Sequence, residues 1–211
     1  MDTADIIRKV QRAIGDDNEI LILKTDIVDW INDAQLTVAR EVGFGRKELV
    51  NTVADYVDGL LVADLLLVKR VIFKDNALAM LDRETLDRMS ITSITGQYPV
   101  GYYMEGPYMF LYPSGNQTDP ITLIYVPAPI PLVTEADPVG LPFNFHEDIV
   151  SFCKMRANER NENYRAAEYN ERQFRDGVSQ RKFDTQTQDD SFATVGPDYM
   201  DFEDVAYYDG L

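Results

Sequence analysis

The most reactive side chains in this chain of 211 residues are few and stand apart from one another. His146 is the only histidine and Cys153 the only cysteine. On one helix they would be separated by about 10 Å of helix rise, too far for the hydrogen bond through which a histidine activates a thiol. His146 also lacks the second histidine or the HExxH spacing of a metal site. We therefore expect His146 to cap or pack the start of a helix, and Cys153 to be a buried structural residue.

An acidic cluster and a group of tyrosines are the remaining candidates for ligand binding. The cluster, Asp16, Asp17 and Glu19, lacks the spacing of an EF-hand loop, so a solvated loop is the favoured interpretation. The tyrosines could stack on single-stranded bases. No basic groove is indicated beside them, so sheet packing or a protein interface is favoured; they are Tyr98, Tyr102, Tyr103, Tyr108 and Tyr112. With no phosphate-binding glycine loop and no nucleophile elbow, the sequence predicts a non-enzyme with no catalytic residue, no metal site and no cofactor.

The composition narrows the classes of partner. The chain carries 20 Lys and Arg against 36 Asp and Glu, a net charge of -16. Since phosphate backbones are bound by neutralising them with basic side chains, specific nucleic-acid binding is not expected. No run of about 18 apolar residues is present, so we expect no membrane span, and the N-terminus lacks a signal-peptide pattern. One cysteine excludes an internal disulfide and favours a reducing compartment.

Helical periodicity at both ends predicts the elements that hold His146 and Cys153. Apolar residues recur at helical spacing over residues 2–14 and 26–42, and Gly15 and Gly43 follow them as helix-ending glycines. A single long helix is predicted from about residue 144 to 176. We therefore assign residues 1–48 to N-terminal helices and residues 143–182 to a long C-terminal helix.

The residue types in the middle of the chain are typical of a β-sheet. Residues 49–126 are rich in β-branched and aromatic residues interrupted by turn residues, including a hairpin signal at Asp58-Gly59. A proline-rich stretch at 127–131 then ends any strand ladder. Residues 49–142 are therefore predicted to be a β-rich insertion with a connecting loop. The fold class expected is α+β: a helical bundle of two N-terminal helices and a long C-terminal helix, with a β-rich insertion and an extended C-terminal arm.

The predicted arm, residues 183–211, contains eight acidic residues and no Lys or Arg, and shows no sustained period. Ordering a backbone costs about 1–2 kcal/mol per residue, so such a segment needs a surface to order on. Its aromatic residues could supply anchors for pockets of another protein chain. The predicted partner-binding residues are Phe183, Phe192, Tyr199, Phe202, Tyr207 and Tyr208.

Two stretches resemble the head-to-tail adaptor (connector) proteins of tailed bacteriophages. The first is Asp58-Gly59-Leu60 followed by Asp64-Leu65-Leu66-Leu67-Val68 and Val71. The second runs from Tyr108-x-x-Leu111-Tyr112-Pro113 through Ile121-x-Leu123-x-Tyr125 and Leu141-Pro142 to Phe145-His146-Glu147-Asp148-Ile149-Val150. The order of predicted elements is also similar, and the resemblance covers about residues 1–175.

The resemblance implies a structural virion protein that forms a homo-oligomeric ring of twelve below the portal protein. Such a ring joins the portal to a tail or nozzle protein and continues the channel through which DNA passes without specific binding. It implies a location in the virion neck, after assembly in the host cytoplasm. An adjacent subunit or the portal would then hold the arm.

Two alternatives stay open beside the adaptor. One is another neck or tail-tube component, such as a tail terminator, which would be built around a sheet that continues between subunits. The other is a cellular protein-binding module that uses its acidic aromatic tail as bait and remains monomeric. An enzyme would need a pocket of convergent polar groups, which the sequence does not indicate.

Overall fold

The computed structural model describes residues 2–15, 21–91, 98–114 and 118–192. Five helices are present in this part of the chain: α1 (Thr3–Ile14), α2 (Lys24–Val42), α3 (Arg83–Ile91), α4 (His146–Arg160) and α5 (Tyr164–Phe192). Seven strands accompany them: β1 (Lys47–Thr52), β2 (Leu60–Leu61), β3 (Leu65–Phe73), β4 (Asn76–Met80), β5 (Gly101–Glu105), β6 (Tyr108–Tyr112) and β7 (Pro120–Pro127). Short 3-10 turns occupy Val53–Tyr56 and Phe143–Phe145.

The two N-terminal helices are confirmed, with ends fixed by local chemistry. The Asp2 carboxylate accepts a hydrogen bond from the Asp5 amide at 2.7 Å and caps α1. Gly15 and Gly43 follow α1 and α2 with φ values of +71° and +68°, a conformation that glycine adopts at little cost. Helix α2 starts at Lys24, two residues before the predicted start at residue 26, and its N-cap residue is Leu23.

The seven strands form one curled mixed sheet in the order β1-β7-β3-β4-β5-β6-β2. Neighbouring strands are antiparallel except β4 and β5, which are parallel and are connected through the segment that contains α3. Two register irregularities lie in the pairing of β3 with β7, and such irregularities increase strand twist. Strand β7 is central to one half of the sheet, since Leu123 pairs with Leu49 of β1 and Val71 of β3.

The predicted β-rich middle of the chain is confirmed, but its strand pairing is not local throughout. A hairpin around Gly106-Pro107 joins β5 and β6. The Asp58-Gly59 hairpin is wrong, because β1 pairs with β7 and β2 pairs with β6. Gly59 has a φ of +84° and lies against Phe110 of β6. The turn at Gly59 therefore leads into β2, which pairs with β6 in the other half of the sheet.

The predicted single C-terminal helix is wrong. The chain leaves α4 at Asn161, passes Glu162 with a φ of +58°, and starts α5 after Asn163. The Asn163 side chain accepts a hydrogen bond from the Ala166 amide at 3.4 Å, as an N-cap residue does. The two helices then pack against each other, with the Phe152 and Phe174 rings 5.1 Å apart. Asn161 is therefore the C-cap residue of α4 and Asn163 the N-cap residue of α5, and neither a glycine nor a proline marks the break.

The predicted fold class is wrong as well. In place of a helical bundle with a β insertion, the described residues form five helices and a seven-stranded curled sheet. Helix α5 does not end at Gly177 but continues to Phe192, so the first ten residues of the predicted arm are helical. One glycine costs a helix only about 1 kcal/mol relative to alanine, which tertiary packing on α4 can offset.

Two separate apolar cores hold the protein together. The helical core joins α1, α2, α4 and α5 with Leu132, Leu141 and Phe145. The sheet core lies on one face of the curled sheet and includes Val71, Leu111 and Leu123. The segment of residues 128–142, here called the connector, leads from the end of β7 to the helices and so links the two cores.

Candidate functional site

The two most reactive residues have structural positions. His146 is buried at the start of α4, and its Nε2 atom lies 3.1 Å from the Leu141 carbonyl oxygen. Cys153 is fully buried in the helical core, where burial raises the pKa of its thiol, with a smaller contribution from Asp33. A thiol held protonated is neither a nucleophile nor a metal ligand at neutral pH. His146 therefore packs at a helix start and Cys153 fills the core, as expected.

The five tyrosines do not form one binding surface. Tyr102 is buried in the sheet core, and Tyr103 stacks on Phe110 with ring centroids 5.2 Å apart. The Tyr98 ring lies 3.9 Å from the Lys74 ammonium. Packing within the sheet accounts for Tyr102 and Tyr103, whereas Tyr98 and Tyr108 are 49% and 41% exposed. The acidic cluster at 16–19 lies outside the described residues.

A buried carboxylate joins α4 to α5 near the connector. Asp148 lies 3.1 Å from Arg181 Nε, but that N–H donates to the Asn144 carbonyl at 2.5 Å, so the contact with Asp148 is electrostatic. Burial raises the pKa of Asp148 to about 6, although Arg181 acts to lower it. A Cβ at Gly177 would lie 2.2 Å from Asp148 Oδ1, so only glycine lets the carboxylate approach α5.

The connector is fixed on α2 by a side chain that binds its backbone twice. Asn32 donates to the Leu132 carbonyl at 3.0 Å and accepts from the Leu132 amide at 2.7 Å. The buried Gln35 accepts from the Gly140 amide at 2.6 Å. These contacts satisfy backbone groups that the irregular connector cannot pair within itself.

The connector is also held by its own turn and by α1. The Asp137 carboxylate accepts hydrogen bonds from the Val133 and Thr134 amides at 2.8 and 2.7 Å. These hydrogen bonds hold the pKa of Asp137 below its usual range. The Thr3 hydroxyl donates to the Asp137 carbonyl at 2.5 Å. The connector is therefore a preformed surface rather than an unconstrained loop.

An apolar groove of about 680 Å³ lies beneath the connector and is here called the connector groove. Its walls are residues 127–133 and 137–141 of the β7 end and connector, with Ala39, Phe44, Gly45 and Lys47 opposite. Ile130 and Val133 are 82% and 83% exposed beside it. Apolar side chains this exposed on a fixed backbone are typical of a surface that binds a partner.

Lys47, one of the residues that line the connector groove, belongs to a network of charged and polar side chains. Lys47 pairs with Asp64, whose carboxylate also accepts a hydrogen bond from the Tyr125 hydroxyl at 2.9 Å. Hydrogen bonding to Lys47 is the main cause that lowers the pKa of Asp64. The positive charge of Lys47 is therefore already paired with Asp64.

The predicted anchor residues are only partly within the described chain. Phe183 is 71% exposed on α5, and Phe192 is the last residue of α5. The other four, Tyr199, Phe202, Tyr207 and Tyr208, lie outside the described residues. The prediction missed the connector groove, although the alternating prolines of residues 127–131 are a signal of an extended segment that presents its side chains.

Comparison with known proteins gives one family match. A family model described as SU10 adaptor protein matches residues 1–199. No curated protein matches the sequence. Among the described helices, none is both long and apolar enough to cross a membrane. Across the described residues, no group of three or more His, Cys, Asp or Glu is placed to hold a metal ion.

Proposed function

The chain belongs to the SU10 adaptor protein family, and from this premise we propose that it forms the ring that joins the portal of a bacteriophage to its tail. The observation that carries the proposal is the match of one phage adaptor model over residues 1–199, which includes both cores. The chain is thus a phage adaptor of a structural protein family. The proposal adds the ring, its partners and its place in the neck.

The geometry supports a structural role on a preformed surface. The connector is fixed to α1 and α2 by hydrogen bonds from side chains, and it exposes apolar residues beside a groove. Preorganised surfaces of this kind lose little conformational entropy on binding. A subunit of this type is suited to repeated contacts with identical neighbours, as ring symmetry requires.

The ring and its portal contact are tested by measuring mass. The purified chain, the portal protein alone and their mixture are compared by native mass spectrometry. We expect a complex in which twelve copies of the chain are added to one portal ring. A chain that remains monomeric in the presence of excess portal would contradict the proposal.

The proposed channel must let DNA pass without retaining it. The chain has a net charge of -16, and like charges repel phosphate over roughly a Debye length, about 8 Å at physiological salt. We therefore propose that the ring presents an acidic lining to its lumen and binds duplex DNA negligibly. Fluorescence anisotropy with a random duplex tests this, and tight, salt-sensitive binding by the chain would contradict it.

The C-terminal aromatic residues are proposed to anchor the subunit to the portal or to an adjacent subunit in the assembled ring. Removing residues 193–211 leaves all five described helices in the chain. We expect this truncation to weaken portal binding at least tenfold, because buried aromatic anchors dominate interface energies. The matched full-length variant replaces Tyr199, Phe202, Tyr207 and Tyr208 with serine and should reproduce the loss. Undiminished portal binding by both variants would refute the anchor role.

The sheet favours one alternative function, that of a tail terminator. The same mass measurement distinguishes a tail terminator from an adaptor. Strand β1 is the terminal strand of a seven-stranded sheet, and tail terminators are expected to continue such a sheet between subunits. A tail terminator would form rings on tail tubes and would not bind the portal. Ring formation without portal binding would therefore favour that alternative.

A further inference from the structure

The end of the sheet formed by β2 and β6 carries an exposed surface that combines apolar and acidic side chains. This surface is here called the acidic edge, and it consists of Val57, Asp58, Leu61, Glu105 and Tyr108. Leu61 of β2 pairs directly with Tyr108 of β6, and both side chains are exposed. Strand β2 is the terminal strand of the sheet, and a terminal strand is a common place for contact with a further chain.

The charges of the acidic edge have one sign. The segments 53–62 and 101–112, which form it, contain Asp55, Asp58 and Glu105 and no Lys, Arg or His. Asp55 is engaged locally, because its carboxylate accepts a hydrogen bond at 2.7 Å from the backbone amide that precedes its own 3-10 turn. Asp58 and Glu105 are exposed, and neither forms an ion pair with any residue that the structure describes. A matching surface must therefore offer a cation together with apolar or aromatic area.

The first turns of α5 offer that chemistry on the helical half of the protein. Tyr164, Arg165 and Tyr169 are exposed there and are here called the basic face. Arg165 forms no ion pair within the described residues, whereas the arginines farther along α5 are in ion pairs. Residues 164–183 carry five Lys and Arg against three Asp and Glu, in a chain whose net charge is -16. The basic face therefore combines two exposed aromatic rings with an available cation.

The acidic edge and the basic face belong to different halves of the fold. Helix α5 packs on α2 and α4 in the helical core, whereas β2 ends the sheet at the side opposite β1. A cyclic ring needs two different surfaces on each subunit, so that one surface of a copy meets the other surface of the next copy. Between copies, the Arg165 guanidinium is suited to pair with Asp58 or Glu105 and to lie over the Tyr108 ring. Arginine and tyrosine are also the residue types that dominate binding energy at many interfaces.

We propose that the acidic edge of one subunit docks on the basic face of the next subunit. The occupant of each surface is thus a second copy of this chain. The inference rests on the proposed ring and names the two surfaces that form it. Each copy uses its acidic edge on one side and its basic face on the other, and the ring closes when the last copy meets the first.

Charge reversal in the full-length chain tests the inference, with native mass spectrometry of the chain mixed with the portal protein as the measurement. The face variant is Arg165→Glu. The edge variant combines Asp58→Lys with Glu105→Lys, and the swapped variant carries all three changes in one chain. The control Arg70→Glu reverses an exposed arginine on β3. Circular dichroism establishes that each variant is folded.

We expect the face variant and the edge variant each to need at least a tenfold higher subunit concentration than wild type to complete rings on the portal. The swapped variant and the control should complete rings as wild type does. An equal mixture of the face and edge variants should also restore rings, with both variants in equal numbers, because every contact then joins opposite charges.

Two results would overturn the inference while the proposed adaptor function stands. One is complete rings from the face variant or the edge variant alone at the wild-type concentration. The other is a loss that neither the swapped variant nor the mixture reverses, which would mean that the two surfaces bind different partners, such as the portal. A wild-type chain that adds no copies to the portal would contradict both the proposed ring and this contact.

Discussion

The helical core and the sheet core differ in the polar side chains that they bury. The buried polar and charged residues other than tyrosine in the described chain all belong to the helices: Thr3, Gln11, Gln35, His146, Asp148 and Asn170. The buried sheet core contains only apolar and tyrosine side chains. Buried hydrogen bonds add modest net stability but require particular geometry. The difference indicates that the helical core is built to fix the connector and α5 in one position, whereas the sheet core supplies bulk apolar stability.

The largest expected effect is in the sheet. Leu123 is fully buried and pairs with strands on both sides. Leu123→Ala should lower the unfolding free energy by about 2–5 kcal/mol, because the cavity adds to the lost transfer energy. Urea denaturation followed by circular dichroism measures the change. The control Leu67→Ala, at a side chain 44% exposed on neighbouring β3, should cost less than half as much. Equal losses would contradict the apolar account of the sheet.

The second-largest expected effect is a pH dependence of the unfolding free energy that arises from the buried carboxyl group in the helical core. The folded pKa of Asp148 is about 6, whereas an unfolded Asp titrates near 4. The folded state therefore binds the proton more tightly, so the unfolding free energy falls as pH rises from about 4 to about 6. We expect this fall to be about 1–3 kcal/mol relative to Asp148→Asn, and to stop above pH 6. A wild type that instead gains stability over Asp148→Asn in this range would show that Arg181 outweighs burial.

A smaller effect is expected where α5 approaches Asp148. Gly177→Ala should destabilise the protein by about 1–2 kcal/mol, since the new methyl displaces the carboxylate and outweighs the helix preference of alanine. In an Asp148→Ala background the same change should be neutral or stabilising by up to about 1 kcal/mol. Thermal unfolding of the four proteins gives the double-mutant cycle. Identical effects in both backgrounds would disprove the close-approach explanation.

The smallest effect is expected on the outer face of α5. Glu168 and Arg172 form a pair at 3.8 Å, and both side chains are about three-quarters exposed. Replacing both with alanine should change the unfolding free energy by less than about 0.5 kcal/mol. Chemical denaturation detects a larger change. A loss above 1 kcal/mol would mean that exposed polar pairs, and not only buried ones, stabilise the helical region.

Some elements of this fold could be predicted from the sequence because local residue chemistry determines where they begin and end. Helices α1 and α2 carry apolar stripes and end at Gly15 and Gly43, which need their positive φ values. The β-rich region predicted at residues 49–126 is confirmed, because all seven described strands lie within residues 47–127. The break at residues 161–163 was missed because Asn-Glu-Asn caps both helices without a glycine or proline. The predicted helical bundle is wrong for that reason. It is also wrong because the size of the sheet depends on which strands pair, and the sequence does not show this.

Pairings between distant strands could not be read from the sequence. The central place of β7 depends on Leu123 meeting Leu49 and Val71, residues that are far apart in the chain. For the site, residue spacing predicted that His146 packs at the start of a helix and that Cys153 is buried, and both positions are confirmed. The connector groove is formed only when Phe44 and the prolines of residues 127–131 meet in three dimensions, so it could not be predicted from the sequence alone.

Electron cryo-microscopy of the neck of the intact phage particle tests the central claim most directly. The account predicts a ring of twelve copies of this chain, coaxial with the portal and in contact with it on one side and with the tail on the other. Density for this fold elsewhere in the particle, or a neck in which the portal meets the tail without it, would contradict the account.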